Sequence, residues 1–217
     1  MDMQSARRQM VHQQIRAWDV LDLGILSVFE ALPREKFVPE AYRNAAYGDL
    51  EIPLPHGERM LAPKLEGRFL QALAPKPQES VLEIGTGSGY FAACLAKLAR
   101  EVLSVDIHPD FVEAAGKTLK GLGQKNVQLE TRDGTRLEWL SSRYDVIAVT
   151  GSLPAYDSAY EQRLNVGGRL MVVVGKAPLM EAMLVTRAAE DAWTRVSLFE
   201  TSLPALKNAP APRVFSF

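Results

Sequence analysis

The chain has 217 residues, 47% apolar and 24% charged, enough for one well-buried domain with at most a small appendage. Its net charge of −1 comes without a basic block, so bulk electrostatics give no reason to expect a nucleic acid as partner. A single cysteine, Cys94, excludes an intramolecular disulfide. The N-terminal stretch MDMQSARRQMVHQQIRAW has no apolar signal core, and apolar runs such as LMVVVG at 170–175 are far too short to span a bilayer. A soluble cytoplasmic protein with no membrane partner is expected.

Residues 3–18 carry Met3, Met10, Ile15 and Trp18 among polar neighbours, an irregular amphipathic helix. A second helix over 22–31 ends at Pro33. Residues 32–63 hold five prolines at 33, 39, 53, 55 and 63 and read as loop, with one short helix over 40–46. Pro63 suits the first turn of a further helix that sets Leu65, Phe69, Leu70 and Leu73 on one face. From residue 79 the rhythm changes. SVLEIG (80–85), EVLSVD (101–106), VQLET (127–131), YDVIAVT (144–150) and GRLMVVVG (168–175) are short buried-strand patterns. Helices are expected between them at 89–99, 109–122, 134–140 and 155–164, so the pattern is one of parallel βαβ units with helices on both faces. EAMLVTRAAE (181–190) and WTRVSLFET (193–201) read as an antiparallel hairpin, followed by a proline-rich tail packed as an irregular strap.

The most informative stretch is VLEIGTGSGY at 81–90. A strand runs into Gly85, Gly87 and Gly89 and a helix follows, an arrangement in which a sharp turn and close ligand approach both exclude a Cβ. The helix N-terminus offers unpaired N–H groups. Asp106 ends the next strand, where a carboxylate can accept from both hydroxyls of a ribose. The glycine spacing is neither the dinucleotide GxGxxG nor a Walker loop. The E-x-G-x-G-x-G pattern starting at Glu83 resembles the S-adenosyl-L-methionine (SAM) loop of the seven-stranded methyltransferases. That likeness implies a cofactor site of Glu83, Gly85, Thr86, Gly87, Ser88, Gly89, Asp106, Ile107 and Thr150. It also places Asp133 and Gly134, from the RDGT run, near the adenine.

Beyond this core, MVHQQIRAWDVLD (10–22), ALPREKFVPE (31–40), AAYGDLEIPLPHG (45–57) and LNVGGRLMVVVG (164–175) resemble the protein-L-isoaspartate O-methyltransferase family. The resemblance implies a Rossmann-like, doubly wound, mostly parallel α/β sheet, with residues 76–217 as the methyltransferase core and residues 1–75 as a helical and looped cover of the same domain. It implies SAM as cofactor, S-adenosyl-L-homocysteine as product, and a protein or peptide isoaspartyl carboxylate, or another small acidic acceptor, as partner. A carboxylate is already ionised at pH 7, so alignment with the methyl donor matters more than a base. No catalytic residue is assigned and no metal is expected.

One loop departs from that family. Members usually carry a stretch like HGQTISQP, with a hydroxyl shortly before the proline. In HGERMLAPKLEG (56–67), Arg59 stands at the threonine position, Leu61 at the serine position and Ala62 just before Pro63. Arg59, Met60, Leu61, Ala62 and Pro63 are therefore the substrate-side candidates. Arg59 or Lys64 could hold an anionic acceptor, since arginine grips a carboxylate with two hydrogen bonds. TGSLPA at 150–155 likewise replaces an alanine-rich run. The alternative is a SAM-binding protein without isoaspartyl activity, acting by interaction or regulation. His56 is expected to be structural, Cys94 a core residue, and Tyr90 either a neighbour of the cofactor or a packing residue.

Overall fold

The computed structural model describes residues 2–210. Helix α1 spans Met3–Gln9 and continues as a wider turn over Met10–Ile15 and a tight turn over Arg16–Trp18, ending at Asp19 with left-handed backbone. This change of winding lets Met10, Val11 and Ile15 all point inward while Trp18 stays exposed, which accounts for the irregular periodicity. Helix α2 spans Leu23–Ala31 and is capped by the Asp22 carboxylate, which accepts from the Ile25 N–H. The proline-rich segment that follows holds tight turns at Arg34–Lys36 and Glu40–Ala45. It ends in a small antiparallel pair, β1 (Ile52–Pro53) and β2 (Arg59–Met60). Helix α3, Pro63–Leu73, starts on its proline and buries Leu65, Phe69, Leu70 and Leu73 as its periodicity requires.

The main sheet is built from β3 (Ser80–Ile84), β4 (Glu101–Asp106), β5 (Val127–Thr131), β6 (Tyr144–Leu153), β7 (Leu164–Lys176), β8 (Leu179–Ala189) and β9 (Ala192–Glu200). Helix α4, Tyr90–Leu98, joins β3 to β4, and α5, Pro109–Gly121, joins β4 to β5. The strand order is β5-β4-β3-β6-β7-β8-β9, with the β7–β8 and β8–β9 pairs antiparallel and the other pairs parallel. After β5 the chain returns to the opposite side of β3, so the strand order reverses between β3 and β6. Such a switch point opens a crevice at the carboxyl ends of the strands, where ligands bind in α/β sheets.

Side chains alternate between two cores along each inner strand. Val81, Val146, Ala148, Met171 and Val173 face a cluster shared with α2, α3, α4 and the first turns of the chain. Leu82, Ile84, Ile147, Val149, Leu170 and Val172 face a second cluster with Leu137, Leu140 and Tyr160. The helices expected at 134–140 and 155–164 are absent. Residues 134–143 form turns, and β6 and β7 run on so far that 154–163 holds only a single tight turn, Glu161–Arg163. The physical reason is local. Asp133 accepts from the Thr135 N–H and Asp157 from the Ala159 N–H, and such side-chain bonds compete with helix formation. The buried Leu137, Leu140 and Tyr160 seal this face in place of helices.

The hairpin β8–β9 forms as its alternation indicates. Beyond it, the Ser152 N–H donates to the Pro204 carbonyl, and the Leu206 N–H donates to that of Ser152, laying residues 203–208 across the carboxyl edge of β6. The end of the expected strap, 211–217, lies outside the described residues. No helix among the described residues is long and apolar enough to cross a membrane.

Candidate active site

The crevice above β3, β4 and β6 encloses about 760 Å³, including its open mouth. One wall is the glycine loop. Gly85, at φ +103°, sits against β6 so closely that a Cβ would lie 2.2 Å from the Thr150 Oγ1, which itself donates to the carbonyls of Ile84 and Gly85. A register irregularity between Ala148 and Ser152 places Thr150 there. Gly87 opens onto the crevice, and Gly89 faces away, where a Cβ would meet Ala115 of α5 at 2.7 Å. The loop thus presents its backbone to the cavity on one side and packs on α5 on the other.

Asp106, at the end of β4, is the carboxylate at the centre of the floor. One oxygen accepts from the Gly87 N–H at 2.8 Å and the other from the His108 N–H at 2.9 Å. Burial raises its pKa above the usual carboxylate range, against the lowering effect of these two bonds. Ile107 lies beside it in the lining. On the far wall, Asp133 accepts from the Thr135 N–H and hydroxyl and, at 2.9 Å, from the Asn208 side-chain amide. Burial favours the neutral acid at Asp133, but these bonds outweigh it and hold the carboxyl below its ordinary value.

Glu83 does not reach the cavity. It is fully buried beneath the glycine loop, where it accepts from the Ser104 hydroxyl, and Ser104 is 2.6 Å from the Thr86 hydroxyl. Of the two roles open to Glu83, a bond near the loop or an approach to a ligand, this burial outside both linings matches the supporting one. Burial pushes the Glu83 carboxyl up to about 8.

A second lobe of about 310 Å³ adjoins the first and shares Leu54, Arg59, Met60, Leu61, Gly85, Gly87 and Thr150 with it. Thr86, Ser88, Glu66 and Phe91 complete its lining. The HGERMLAPKLEG loop thus does face the glycine loop. Met60 and Leu61 are buried lining residues. Arg59 lies at the rim, 59% exposed, with its guanidinium 3.2 Å from Glu51. Lys64 pairs with Asp49 at 2.8 Å and stands over the Trp18 ring, outside both lobes. Ala62 and Pro63 are buried at the start of α3 without lining either lobe, and Gly89 also lies outside them. Tyr90 is a packing residue, fully buried against Phe29, Phe37 and the Arg34 guanidinium. Cys94 is buried in the core.

Several lining residues escaped the sequence reading. Leu203, Pro204, Ala205, Leu206 and Lys207 of the strap roof the crevice, and Lys207 bridges to Glu58 of the opposite loop at 3.1 Å. The proline-rich apolar composition of this tail signals a packed cover, but nothing in it shows which face it covers.

Comparison with known proteins follows the same lines. The family model for protein-L-isoaspartate(D-aspartate) O-methyltransferase matches residues 5–202. A protein-L-isoaspartate O-methyltransferase 2 of Marinobacter nauticus is 38% identical over 198 residues, covering 90% of each chain. The Koribacter versatilis protein-L-isoaspartate O-methyltransferase is 33% identical over 88% of this chain and 86% of its own. Among solved structures, a protein-L-isoaspartate O-methyltransferase superposes with a TM-score of 0.80 at 25% identity, covering 94% of this chain and 67% of that one. A Plasmodium falciparum structure in complex with S-adenosyl-L-homocysteine shares the fold, at TM-score 0.79 and 18% identity over 95% of this chain and 99% of that one.

Proposed function

The chain belongs to the protein-L-isoaspartate(D-aspartate) O-methyltransferase family, and on that premise we propose that it methylates the side-chain carboxylate of isoaspartyl residues in proteins or peptides, using SAM. The observation that carries this reading is the facing of two walls. A glycine loop with Asp106 at its foot stands opposite a loop of family-specific position, across one continuous crevice.

The residues present fit the cofactor. The Asp106 carboxylate keeps lone pairs free beside its two backbone donors and can accept from ribose hydroxyls. Gly87 leaves its face of the loop open, and Thr86 and Ser88 line the adjoining lobe. A purine amino group near Asp133 would share that carboxylate with Asn208. When bound, SAM supplies an electrophilic methyl group on a sulfonium.

The chain's own task is then alignment. The acceptor is ionised at neutral pH, so no side chain has to remove a proton. Met60 and Leu61 exclude water from the lobe beside Gly85 and Thr86, and opposite charges attract more strongly in such a dry site. Arg59 at the rim supplies a positive charge to an incoming acidic segment without gripping the reacting oxygen. A grip on that oxygen would stabilise the ground state as much as the transition state.

Calorimetry with S-adenosyl-L-homocysteine, paired with methyl transfer to an isoaspartyl peptide, tests the proposal. Binding together with transfer is expected. Binding without transfer would favour a SAM-binding protein of another role, in keeping with the loop that lacks a hydroxyl.

A further inference from the structure

No metal-binding motif is visible in the sequence, yet the fold gathers two of its three histidines and a carboxylate at the mouth of the crevice. The potential ligand atoms of His56, His108 and Asp110 all lie within 4.8 Å of one another. His56 comes from the turn before β2, while His108 and Asp110 open α5, so the group joins the substrate-side loop to the cofactor-side helix. We propose that these three residues form a binding site for a divalent transition cation of the zinc or copper type, and that an ion held there is coupled to cofactor binding.

Three independent features support it. The His108 Nε2 is buried and has no hydrogen-bond partner, an uncommon state for a polar atom. His56 is held at φ +60°, in the left-handed region that non-glycine residues seldom adopt and that clusters at functional sites. The Asp110 carboxylate reaches the His56 Nε2 with both oxygens, at 2.9 and 3.0 Å, so a third ligand of suitable type is already in place. Two imidazoles and a carboxylate suit zinc and copper and leave an open position for water.

The rings are stacked, with centroids 4.0 Å apart and planes 3° from parallel. In that arrangement their in-plane lone pairs do not converge. Ion binding therefore requires the His56 ring to turn out of the stack, with the metal replacing the proton that His56 shares with Asp110. The His56 side chain is 40% exposed, and Phe111 packs edge-on against both rings, so the turn has solvent to move into and a wall to stop against.

The coupling follows from the neighbours. The His108 backbone N–H donates to Asp106, and His108 itself lines the crevice. An ion that fixes His108 and His56 therefore biases both the ribose-side carboxylate and the loop opposite it. The coupling rests on the cofactor reading above, whereas the ion site does not.

The test uses the full untagged chain, freed of metal with a chelator and titrated with zinc chloride by calorimetry. One ion per chain is expected. Affinity should fall at least about tenfold in His56→Ala and in His108→Asn, the size of loss that even an outer-shell change commonly produces. It should be unchanged in His12→Ala, which alters the one histidine outside the group. Thermal melting of each variant checks folding. Copper(II) electron paramagnetic resonance on the unmutated chain, with two coupled nitrogens expected, reports on the site without any substitution. No zinc binding, zinc binding indifferent to both histidines, or a copper signal without two nitrogens would overturn the site. Zinc should also alter the affinity for S-adenosyl-L-homocysteine, and be altered by it, by the same factor. An unmoved affinity would overturn the coupling. S-adenosyl-L-homocysteine titrated without zinc tests the cofactor reading separately.

Discussion

The Arg34 guanidinium is ion-paired with the Glu66 carboxylate entirely inside the protein, with neither side chain more than 2% exposed. Its second terminal nitrogen donates to the Leu61 carbonyl at 2.5 Å, and its face lies 4.7 Å from the Tyr90 ring centre. A buried arginine thus ties α3 to the backbone of the loop at Leu61. Removing one member of such a pair strands the other charge, so Arg34→Met should destabilise the fold by about 3–5 kcal/mol. Arg34→Lys keeps the charge opposite Glu66 but cannot fork to Leu61. It should lose a larger share of kcat/KM on an isoaspartyl peptide than of stability. Denaturant unfolding and steady-state kinetics on the two variants check this.

Arg59 is a rim charge already shared with Glu51. Arg59→Ala should raise KM for an acidic peptide about two- to fivefold, the worth of an exposed charge contact, with kcat nearly unchanged. Glu51→Gln, which frees the guanidinium, should shift KM in the opposite direction. Equal losses in kcat for Arg59→Ala would instead place the guanidinium on the reacting carboxylate.

Asp106 organises the floor of the crevice through its bonds from Gly87 and His108. Asp106→Ala removes both and any bond to ribose hydroxyls. Binding of S-adenosyl-L-homocysteine should weaken about 10- to 100-fold, as for loss of hydrogen bonds to a charged group. Calorimetry measures this directly.

Glu83 supplies a pH signature. Its buried carboxyl is raised to about 8 from an ordinary 4.5, so the folded protein keeps a proton that the unfolded chain releases. Its contribution to stability is fully present below about pH 4.5 and is lost as the pH rises through about 8. Glu83→Gln should therefore flatten the fall of melting temperature between pH 5 and 8, by several degrees at about 2–4 °C per kcal/mol. Some slope should persist, because burial also raises the Glu66 carboxyl, to about 7 against the pull of Arg34. An unchanged profile would show that Glu83 is ionised in the fold.

What was legible in the sequence was local. The β-branched runs from residue 80, the glycine triplet and Asp106 at a strand end each reflect a constraint acting within a few residues, and each lies where its pattern places it. The helices expected at 134–140 and 155–164 failed where apolar residues serve as plugs under turn-forming aspartates, which periodicity alone does not distinguish from helix. The contacts that shape the crevice join residues far apart in sequence: Arg34 to Leu61, His56 to Asp110, Glu58 to Lys207 and Asp133 to Asn208. No spacing rule links such pairs. Glu83 shows a third case, in which the motif was found but the direction of the side chain depends on Ser104 of the neighbouring strand.

The most direct measurement is methyl transfer from labelled SAM to two peptides of one sequence, differing only in an isoaspartyl or an ordinary aspartyl linkage. An isoaspartyl-specific methyltransferase should label the first and leave the second near background, with Asp106→Ala reducing the labelling. Tight binding of S-adenosyl-L-homocysteine with neither peptide labelled would contradict the assignment of an isoaspartyl acceptor to this crevice.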